Sequence, residues 1–215
     1  MTKTNLQDSP RRAANAGVIR NVCVYCGSAQ GAAPAYAEAA AAFGRVLAAA
    51  GIGLVYGGGN TGLMGALARS VLSGGGFVTG IIPQFLSERE VVLEAAQNMI
   101  VVPDMHTRKR LMFEKADAFV ALPGGIGTLE ELVEQLTWVQ LGRHTKPVLL
   151  ADIGGFWRPL LDLFAHMRER RFIQPNFEVR YLVAEAVDDI LPMLETAAER
   201  TALLGREKTE IDPRL

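Results

Sequence analysis

Short apolar runs alternate with longer segments of helical period along most of this chain of 215 residues. Such runs are typical of strands that are buried on both faces of a sheet, and the longer segments repeat their apolar residues about every 3.6 positions, as helices do. A regular alternation of strand and helix predicts an α/β fold. We therefore expect a Rossmann-like, doubly wound and mostly parallel sheet with helices on both faces.

The order of the predicted elements is simple. Strands are expected at residues 22–26, 53–56, 77–82, 99–102, 118–122 and 147–150, and helices at 34–50, 62–72, 105–115, 129–141, 157–168 and 187–198. Residues 83–97 have no clear pattern. We expect a single domain at 18–200, preceded by a disordered arm at 1–17 and followed by a charged tail at 201–215.

The composition limits the partners of this domain. Its 22 basic and 23 acidic residues give a net charge of -1, whereas a surface for nonspecific nucleic-acid binding is strongly basic. The first 17 residues have no apolar core like that of a signal peptide, and charged residues interrupt the alanine-rich segment 37–50. We expect a cytoplasmic protein that binds a small molecule and binds neither nucleic acid nor a membrane.

The two cysteines have the C-x-x-C spacing of some redox and metal sites. Because Cys23 and Cys26 fall within a predicted strand, their side chains face opposite sides of the sheet, and we expect structural thiols. The three histidines, His106, His144 and His166, show no ligand spacing with them or with each other. The sequence therefore predicts no metal site.

A glycine loop at residues 122–131 reads Leu-Pro-Gly-Gly-Ile-Gly-Thr-Leu-Glu-Glu and lies between a predicted strand and a predicted helix. Gly124, Gly125 and Gly127 leave backbone amides uncovered at the helix N-terminus, where a phosphate or another anion is favoured. Glu130 and Glu131 follow on the first helical turn. Carboxylates beside a bound anion are unfavourable, which suggests that at least one of them handles a sugar or a proton.

A simpler interpretation of the same loop is open. Thr128-x-x-Glu131 matches a capping box, in which the hydroxyl and the carboxylate bond to free amides at a helix start and take no part in chemistry. The tetrapeptide alone does not separate the two interpretations.

Two further glycine-rich segments follow the first and second strands. The carboxyl ends of parallel strands meet at one edge of the sheet, so Gly27 and Ser28 are expected near the glycines at 57–59. The spacing Gly57-x-Gly59-x-x-Gly62 matches a dinucleotide-binding fingerprint, but no acidic residue follows at the distance that would bind the ribose. We expect no redox cofactor, and tight turns with close helix packing account for Gly62 by themselves.

The predicted helix at 105–115 carries cations on its apolar side. At about 100° per residue, Arg108 and Lys109 project into the sector of its apolar residues, whereas Arg110 and Glu114 point away. A buried cation requires an anionic partner, although long side chains also extend their charged ends back to water. Both interpretations are open for this helix alone.

Several motifs, in this order, resemble one known family. They are Cys-Gly-Ser at 26–28, Val-Tyr-Gly-Gly-Gly at 55–59 with Gly-Leu-Met-Gly at 62–65, Met-His-x-Arg-Lys at 105–109, and Pro-Gly-Gly-x-Gly-Thr-x-x-Glu at 123–131. Together they are similar to the Lonely Guy family of cytokinin riboside 5'-monophosphate phosphoribohydrolases, long mislabelled as lysine decarboxylases. The resemblance extends from about residue 22 to about residue 183.

The resemblance implies an activity. It predicts a Rossmann-like enzyme, usually a homodimer, that hydrolyses the N-glycosidic bond of an adenine-type nucleoside 5'-monophosphate to the free base and ribose 5-phosphate. Related bacterial proteins also accept AMP. The segment between Glu90 and Met105 departs from the plant pattern, with Val-Val-Leu-Glu at 91–94 in place of small and polar residues.

The resemblance also implies site residues. Arg108 and Glu131 would be the catalytic pair. The glycine loops and the resemblance together predict these substrate-binding residues: Gly27, Ser28, Gly58, Gly59, Met64, Glu90, Lys109, Gly124, Gly125, Gly127, Thr128, Glu130 and Thr137. In the predicted reaction Glu131 stabilises an oxocarbenium-like state or activates water, Arg108 orients the substrate, and loop amides bind the phosphate. No cofactor is required.

Two other classes of function remain open. A nucleotide or cofactor carrier on the same fold would use the glycine loops without needing Arg108 and Glu131. An amino-acid decarboxylase would require a lysine that forms a Schiff base with pyridoxal phosphate, for which Lys109 and Lys115 are the candidates.

Overall fold

The strands form one sheet. A computed structural model of the chain describes residues 18–87, 93 and 95–211, and within them seven parallel strands pair in the order β4-β3-β2-β1-β5-β6-β7. Their bounds are Asn21–Tyr25 (β1), Gly53–Tyr56 (β2), Val78–Pro83 (β3), Asn98–Val102 (β4), Ala118–Ala121 (β5), Val148–Ala151 (β6) and Leu182–Ala184 (β7). The predicted α/β fold class is confirmed.

Helices connect these strands. They are Pro34–Ala49 (α1), Gly62–Ser73 (α2), Gln84–Ser87 (α3), Met105–Lys115 (α4), Ile126–Gln140 (α5), Arg158–Glu169 (α6) and Val187–Ile211 (α7). Most bounds lie within one or two residues of the prediction. The exceptions are α5, which begins three residues earlier than residue 129, and α7, which extends beyond residue 198. The short elements α3 and β7 were not predicted. The domain bounds at 18–200 stay a prediction.

The helices cover both faces of the sheet, as the alternating pattern predicts. On one face α1, α2 and α7 pack Phe43, Leu67 and Leu194 against Val24 and Leu54. On the other face α4, α5 and α6 pack Met112, Leu132 and Phe164 against strand residues that include Phe119 and Leu150. Strands buried on both sides explain why their sequences are continuously apolar.

The strand order places a crevice beside β1. The chain winds outward from β1 through β2 in one direction and through β5 in the other, so the connections after β1 and β5 diverge at their carboxyl ends. The backbone amide of Gly27 donates to the Pro123 carbonyl at 3.1 Å, and the amide of Leu63 at the start of α2 donates to the Gly27 carbonyl at 3.0 Å. The three glycine-rich segments therefore meet at this crevice.

Candidate active site

A cleft of about 370 Å³ lies at the carboxyl ends of β1, β2 and β5. Nine of the predicted site residues line it: Gly27, Ser28, Met64, Arg108, Gly125, Gly127, Thr128, Glu130 and Glu131. Among the described residues, the cleft therefore combines a helix N-terminus with one cation, Arg108, and two carboxylates, Glu130 and Glu131. The separated motifs of the sequence are brought together there.

The N-terminus of α5 faces this cleft with free amides. Its N-cap is Gly125 in an extended conformation, and the first intrahelical bond runs from the Leu129 amide to the Gly125 carbonyl at 3.0 Å. The amides of Ile126, Gly127 and Thr128 consequently have no intrahelical acceptor. These three residues line the cleft, so their amides and the positive end of the helix dipole are suited to an anion.

The capping-box interpretation of Thr128 is wrong. The residue lies in the third position of α5, where its side chain is buried and makes no capping hydrogen bond. A Cβ atom at Gly124 would overlap the Thr128 side chain, which explains the glycine there. The sequence predicted Glu130 and Glu131 on the first turn of this helix. Because α5 begins at Ile126, they lie on its second turn instead.

Arg108 of α4 and Glu131 of α5 form a buried ion pair inside the cleft. Nη2 of Arg108 lies 3.5 Å from Oε1 of Glu131, and each side chain is 11% exposed. The Nε–H of Arg108 donates to the Ile81 carbonyl at 3.1 Å. Arg110 and Glu114 are exposed, so the directions predicted from helical periodicity are confirmed. Arg108 is held from two sides within reach of a ligand.

The environment of Glu131 places its titration near neutral pH. Burial raises the pKa of Glu131 to about 7, a shift that the positive charge of Arg108 opposes and the negative charge of Glu130 increases. A carboxyl group of this kind exchanges a proton readily at physiological pH. Strongly shifted carboxyl groups in clefts are typical of catalytic sites.

Lys109 lies beside the cleft and not in its lining. Its Nζ is 2.6 Å from Oε1 of Glu130 and 3.0 Å from Oε1 of Glu134. Burial disfavours the charge of Lys109, but its hydrogen bonds to the two carboxylates outweigh burial and raise its pKa. The lysine therefore stays charged and offsets the negative charge of α5 next to the anion site.

Other predicted site residues lie apart from the lining. Gly58, Gly59, Gly124 and Thr137 do not contribute to it. Thr137 is exposed on α5, and its hydroxyl donates to the Val133 carbonyl at 2.8 Å. Glu90 lies outside the residues that the structure describes.

The lining also contains residues that the sequence did not single out as site residues: Val24, Tyr25, Cys26, Gly57, Leu86, Met105 and Ile126. Leu86 comes from α3, in the stretch without a clear pattern. Gly57 belongs to the glycine-rich segment that the sequence placed at this edge of the sheet, but it was not predicted to be a site residue.

Cys23 and Cys26 are structural, as predicted. Both are free and buried, and they belong to the cores on opposite faces of the sheet. Burial raises the pKa of both thiols, so they are poor nucleophiles. Among the described residues no group of three or more His, Cys, Asp or Glu side chains could hold a metal ion, and no helix has the length and apolarity to cross a bilayer.

Comparisons with known sequences add independent information. The family model described as "Possible lysine decarboxylase" matches residues 64–194. The chain is 47% identical over 177 residues to cytokinin riboside 5'-monophosphate phosphoribohydrolase LOG7 of Arabidopsis thaliana, covering 82% of each protein. It is 44% identical over 180 residues to cytokinin riboside 5'-monophosphate phosphoribohydrolase LOG3, also of Arabidopsis thaliana, covering 84% of each protein.

Solved structures share the fold. Moco carrier protein from Chlamydomonas reinhardtii aligns with a TM-score of 0.64 and 19% identity over 84% of this chain and 98% of that protein. The molybdenum cofactor binding protein from Rippkaea orientalis aligns with a TM-score of 0.61 and 22% identity over 82% and 95%. At these identities the likeness shows the common architecture alone.

Proposed function

The chain belongs to the Lonely Guy family of cytokinin riboside 5'-monophosphate phosphoribohydrolases, and on that premise we propose that it hydrolyses the N-glycosidic bond of these nucleotides or of AMP. The products are the free base and ribose 5-phosphate. The observation that carries the proposal is the position of the buried Arg108–Glu131 pair beside three free helix amides in one cleft.

The amides at the start of α5 bind the 5'-phosphate in this proposal. Ile126, Gly127 and Thr128 present backbone N–H donors without intrahelical acceptors, and the helix dipole favours negative charge at the same point. The ion pairs of Lys109 with Glu130 and Glu134 reduce the repulsion between α5 carboxylates and the phosphate. The site can therefore accept an anion despite its acidic neighbours.

Glu131 acts on the sugar and water. As the bond between C1' and the base nitrogen breaks, positive charge develops on the ribose, and a buried carboxylate stabilises that charge. Water then forms the new bond to C1' and transfers a proton to Glu131. The departing base keeps the bonding electrons and takes up a proton from solvent, and Glu131 returns the proton it accepted to solvent, so the net change is the addition of one water.

Arg108 orients the reacting groups. Its guanidinium lies between the Ile81 carbonyl and Glu131, where a fixed donor can hold a substrate oxygen and the carboxylate in one geometry. Its charge also keeps part of the Glu131 population ionised, because an adjacent cation favours the carboxylate form.

A pyridoxal-dependent decarboxylation fits these residues poorly. A Schiff base forms from a neutral amine, whereas Lys109 is held between two carboxylates that favour its charged form. Lys115, the other lysine considered from the sequence, does not line the cleft.

The decisive experiment is incubation with nucleotides and detection of free base. A panel of AMP, isopentenyladenosine monophosphate, GMP and CMP identifies the preferred base, and we expect release from the adenine nucleotides. Tight binding of AMP without release of adenine would instead support a carrier. The Glu131→Gln variant separates true turnover from a contaminating hydrolase, because only the latter persists in it.

The assembly and the location of the protein are part of the same proposal. We propose a homodimer in the cytoplasm, which binds neither nucleic acid nor a membrane. Large apolar side chains at the two ends of α5 support the dimer, since Ile126 is 81% exposed and Leu141 is 67% exposed. Light scattering coupled to size exclusion measures the mass directly, and a mass near 23.2 kDa would contradict the dimer.

A further inference from the structure

Gly57 lies directly after β2 and lines the cleft next to the Arg108 guanidinium. We propose that Gly57 is a positioning residue, whose missing side chain leaves the space that Arg108 needs to reach Glu131. The inference rests on the proposed function, in which Arg108 orients the reacting groups. It assigns to Gly57 a role that the glycine spacing of the sequence does not indicate.

The Arg108 guanidinium occupies most of the space where a side chain at Gly57 would lie. A Cβ atom at this position would overlap Nη2 of Arg108 and would lie 3.6 Å from its Cζ. The same Nη2 is the atom that faces Oε1 of Glu131 at 3.5 Å. Any side chain at Gly57 therefore competes with the atom that forms the ion pair.

Arg108 has little freedom to avoid such a side chain. Its Nε–H is bonded to the Ile81 carbonyl at 3.1 Å, and its Nη1 lies 3.7 Å from Sδ of Met105. The side chain itself is almost buried, so movement away from Gly57 breaks existing contacts. A methyl group at Gly57 therefore displaces the guanidinium from Glu131 and disturbs its Nε–H bond to the Ile81 carbonyl.

The backbone gives no other reason for glycine at this position. Gly57 does not have the left-handed conformation of Gly58 (φ 85°) and Gly62 (φ 57°). The other atom that a Cβ would approach closely, Sδ of Met64 at 3.2 Å, belongs to a flexible side chain. At Gly62, by contrast, a Cβ would meet the backbone of residues 28 and 29. Alanine at Gly57 is therefore compatible with the fold and perturbs the arginine.

The first test measures hydrolysis of AMP by Gly57→Ala in three backgrounds. In the parental protein we expect kcat/KM to fall by about 100-fold, the loss typical of a misplaced catalytic group. Lysine has no Nη2 atom to meet the new methyl group. Adding Gly57→Ala to Arg108→Lys is therefore expected to lower kcat/KM by less than about threefold relative to Arg108→Lys alone. An equal loss in the parental, Arg108→Lys and Arg108→Ala backgrounds would overturn the proposal.

The second test does not depend on turnover. The ¹⁵N–¹H signal of the Arg108 Nε–H group reports its bond to the Ile81 carbonyl, and we expect Gly57→Ala to shift or weaken it. Gly125→Ala is the matched control, because a Cβ there has no neighbour within 4 Å, and it should leave this signal unchanged. An unchanged signal in Gly57→Ala would overturn the proposal.

The two tests also separate this inference from the proposed function. If the parental protein releases no base, the proposed hydrolysis fails, while the Nε–H signal still decides the role of Gly57. If Gly57→Ala does not fold, folding restored by adding Arg108→Lys supports the clash with the guanidinium. Failure to fold in both backgrounds contradicts it.

Discussion

Glu131 and Arg108 come from neighbouring helices on the same face of the sheet, with Oε1 of the acid 3.5 Å from Nη2 of the base. The arginine does not fully offset the burial of the carboxyl group, whose pKa is raised to about 7. A pair placed only for stability would gain from full ionisation of its acid. The geometry instead holds an acid that changes protonation near neutral pH, as a hydrolase of the proposed kind needs.

Glu131→Gln is expected to lower kcat for release of adenine from AMP by at least about 100-fold, because the amide can neither accept the proton of water nor balance positive charge on the ribose. The dissociation constant for AMP, measured by calorimetry, should change little because the helix amides remain. Glu114→Gln, on the exposed side of α4, is the matched control. Parental turnover by Glu131→Gln would leave this glutamate without a catalytic role.

The pH profile of kcat/KM should rise through about pH 7. The proposed mechanism uses ionised Glu131, so the rate should increase about tenfold per pH unit below the pKa and become constant above it. Arg108→Gln removes the cation that lowers this pKa, and the inflection should move to higher pH. A rate that falls between pH 6 and pH 8 would show that the protonated acid is the active form.

Gly127→Asp should move stability and affinity in opposite directions. A carboxylate in the first turn of α5 stabilises the helix by about 0.3–1 kcal/mol through the dipole, and a Cβ at Gly127 meets no neighbour within 4 Å. The same charge repels the substrate phosphate, so KM for AMP should rise at least about tenfold. A loss of about 1.4 kcal/mol in binding free energy is enough for this change. Thermal denaturation and initial rates measure the two effects.

The control for that change is Gly127→Asn, which is similar in size and carries no charge. It should raise KM much less than Gly127→Asp. Equal effects of the two variants would mean that steric hindrance, and not repulsion of an anion, weakens binding at the start of α5.

His144 should make the fold sensitive to acid. Its ring lies 5.2 Å from that of Phe113 and 5.7 Å from that of Phe119, and burial, with the nearby Lys146 charge, lowers its pKa to about 4. Between about pH 6.5 and about pH 4, His144 is protonated in the unfolded state and neutral in the folded state. This group therefore costs up to about 3 kcal/mol of stability as the pH falls through that range.

Urea denaturation of parental protein and His144→Asn from pH 7.5 to pH 4 tests this. As the pH falls, the unfolding free energy of the parental protein should decrease relative to that of His144→Asn. Buried Glu131 makes both proteins more stable at lower pH, and this shared contribution cancels when one value is subtracted from the other. His166→Asn, at an exposed position of α6, serves as the control. A difference that is independent of pH would contradict the assignment.

Local periodicity was sufficient for the fold and for the direction of the cationic side chains. The alternation of strand and helix predicts the parallel sheet, and the 100° spacing places Arg108 and Lys109 toward the buried side of α4. These features depend on residues close in sequence. Burial on both faces of the sheet then fixes them in the folded protein.

Contacts between distant segments were not predictable in the same way. Gly125, Ile126 and Gly127 are weak helix formers, so the pattern favours a start after Thr128, but α5 begins at Ile126 and the buried Thr128 lies in its first turn. The contact between Gly57 and Arg108 joins β2 to α4 and leaves no local signal. The three-residue strand β7 is too short for a period to be recognised.

The free amides and Glu131 belong to one continuous helix, α5, so their separation cannot vary independently. With a rise of about 1.5 Å per residue, the acid stands only about 5 to 8 Å along the axis from the amides that face the phosphate. In the proposed reaction, this fixed spacing sets the distance between the phosphorus bound at the start of α5 and the anomeric carbon beside Glu131.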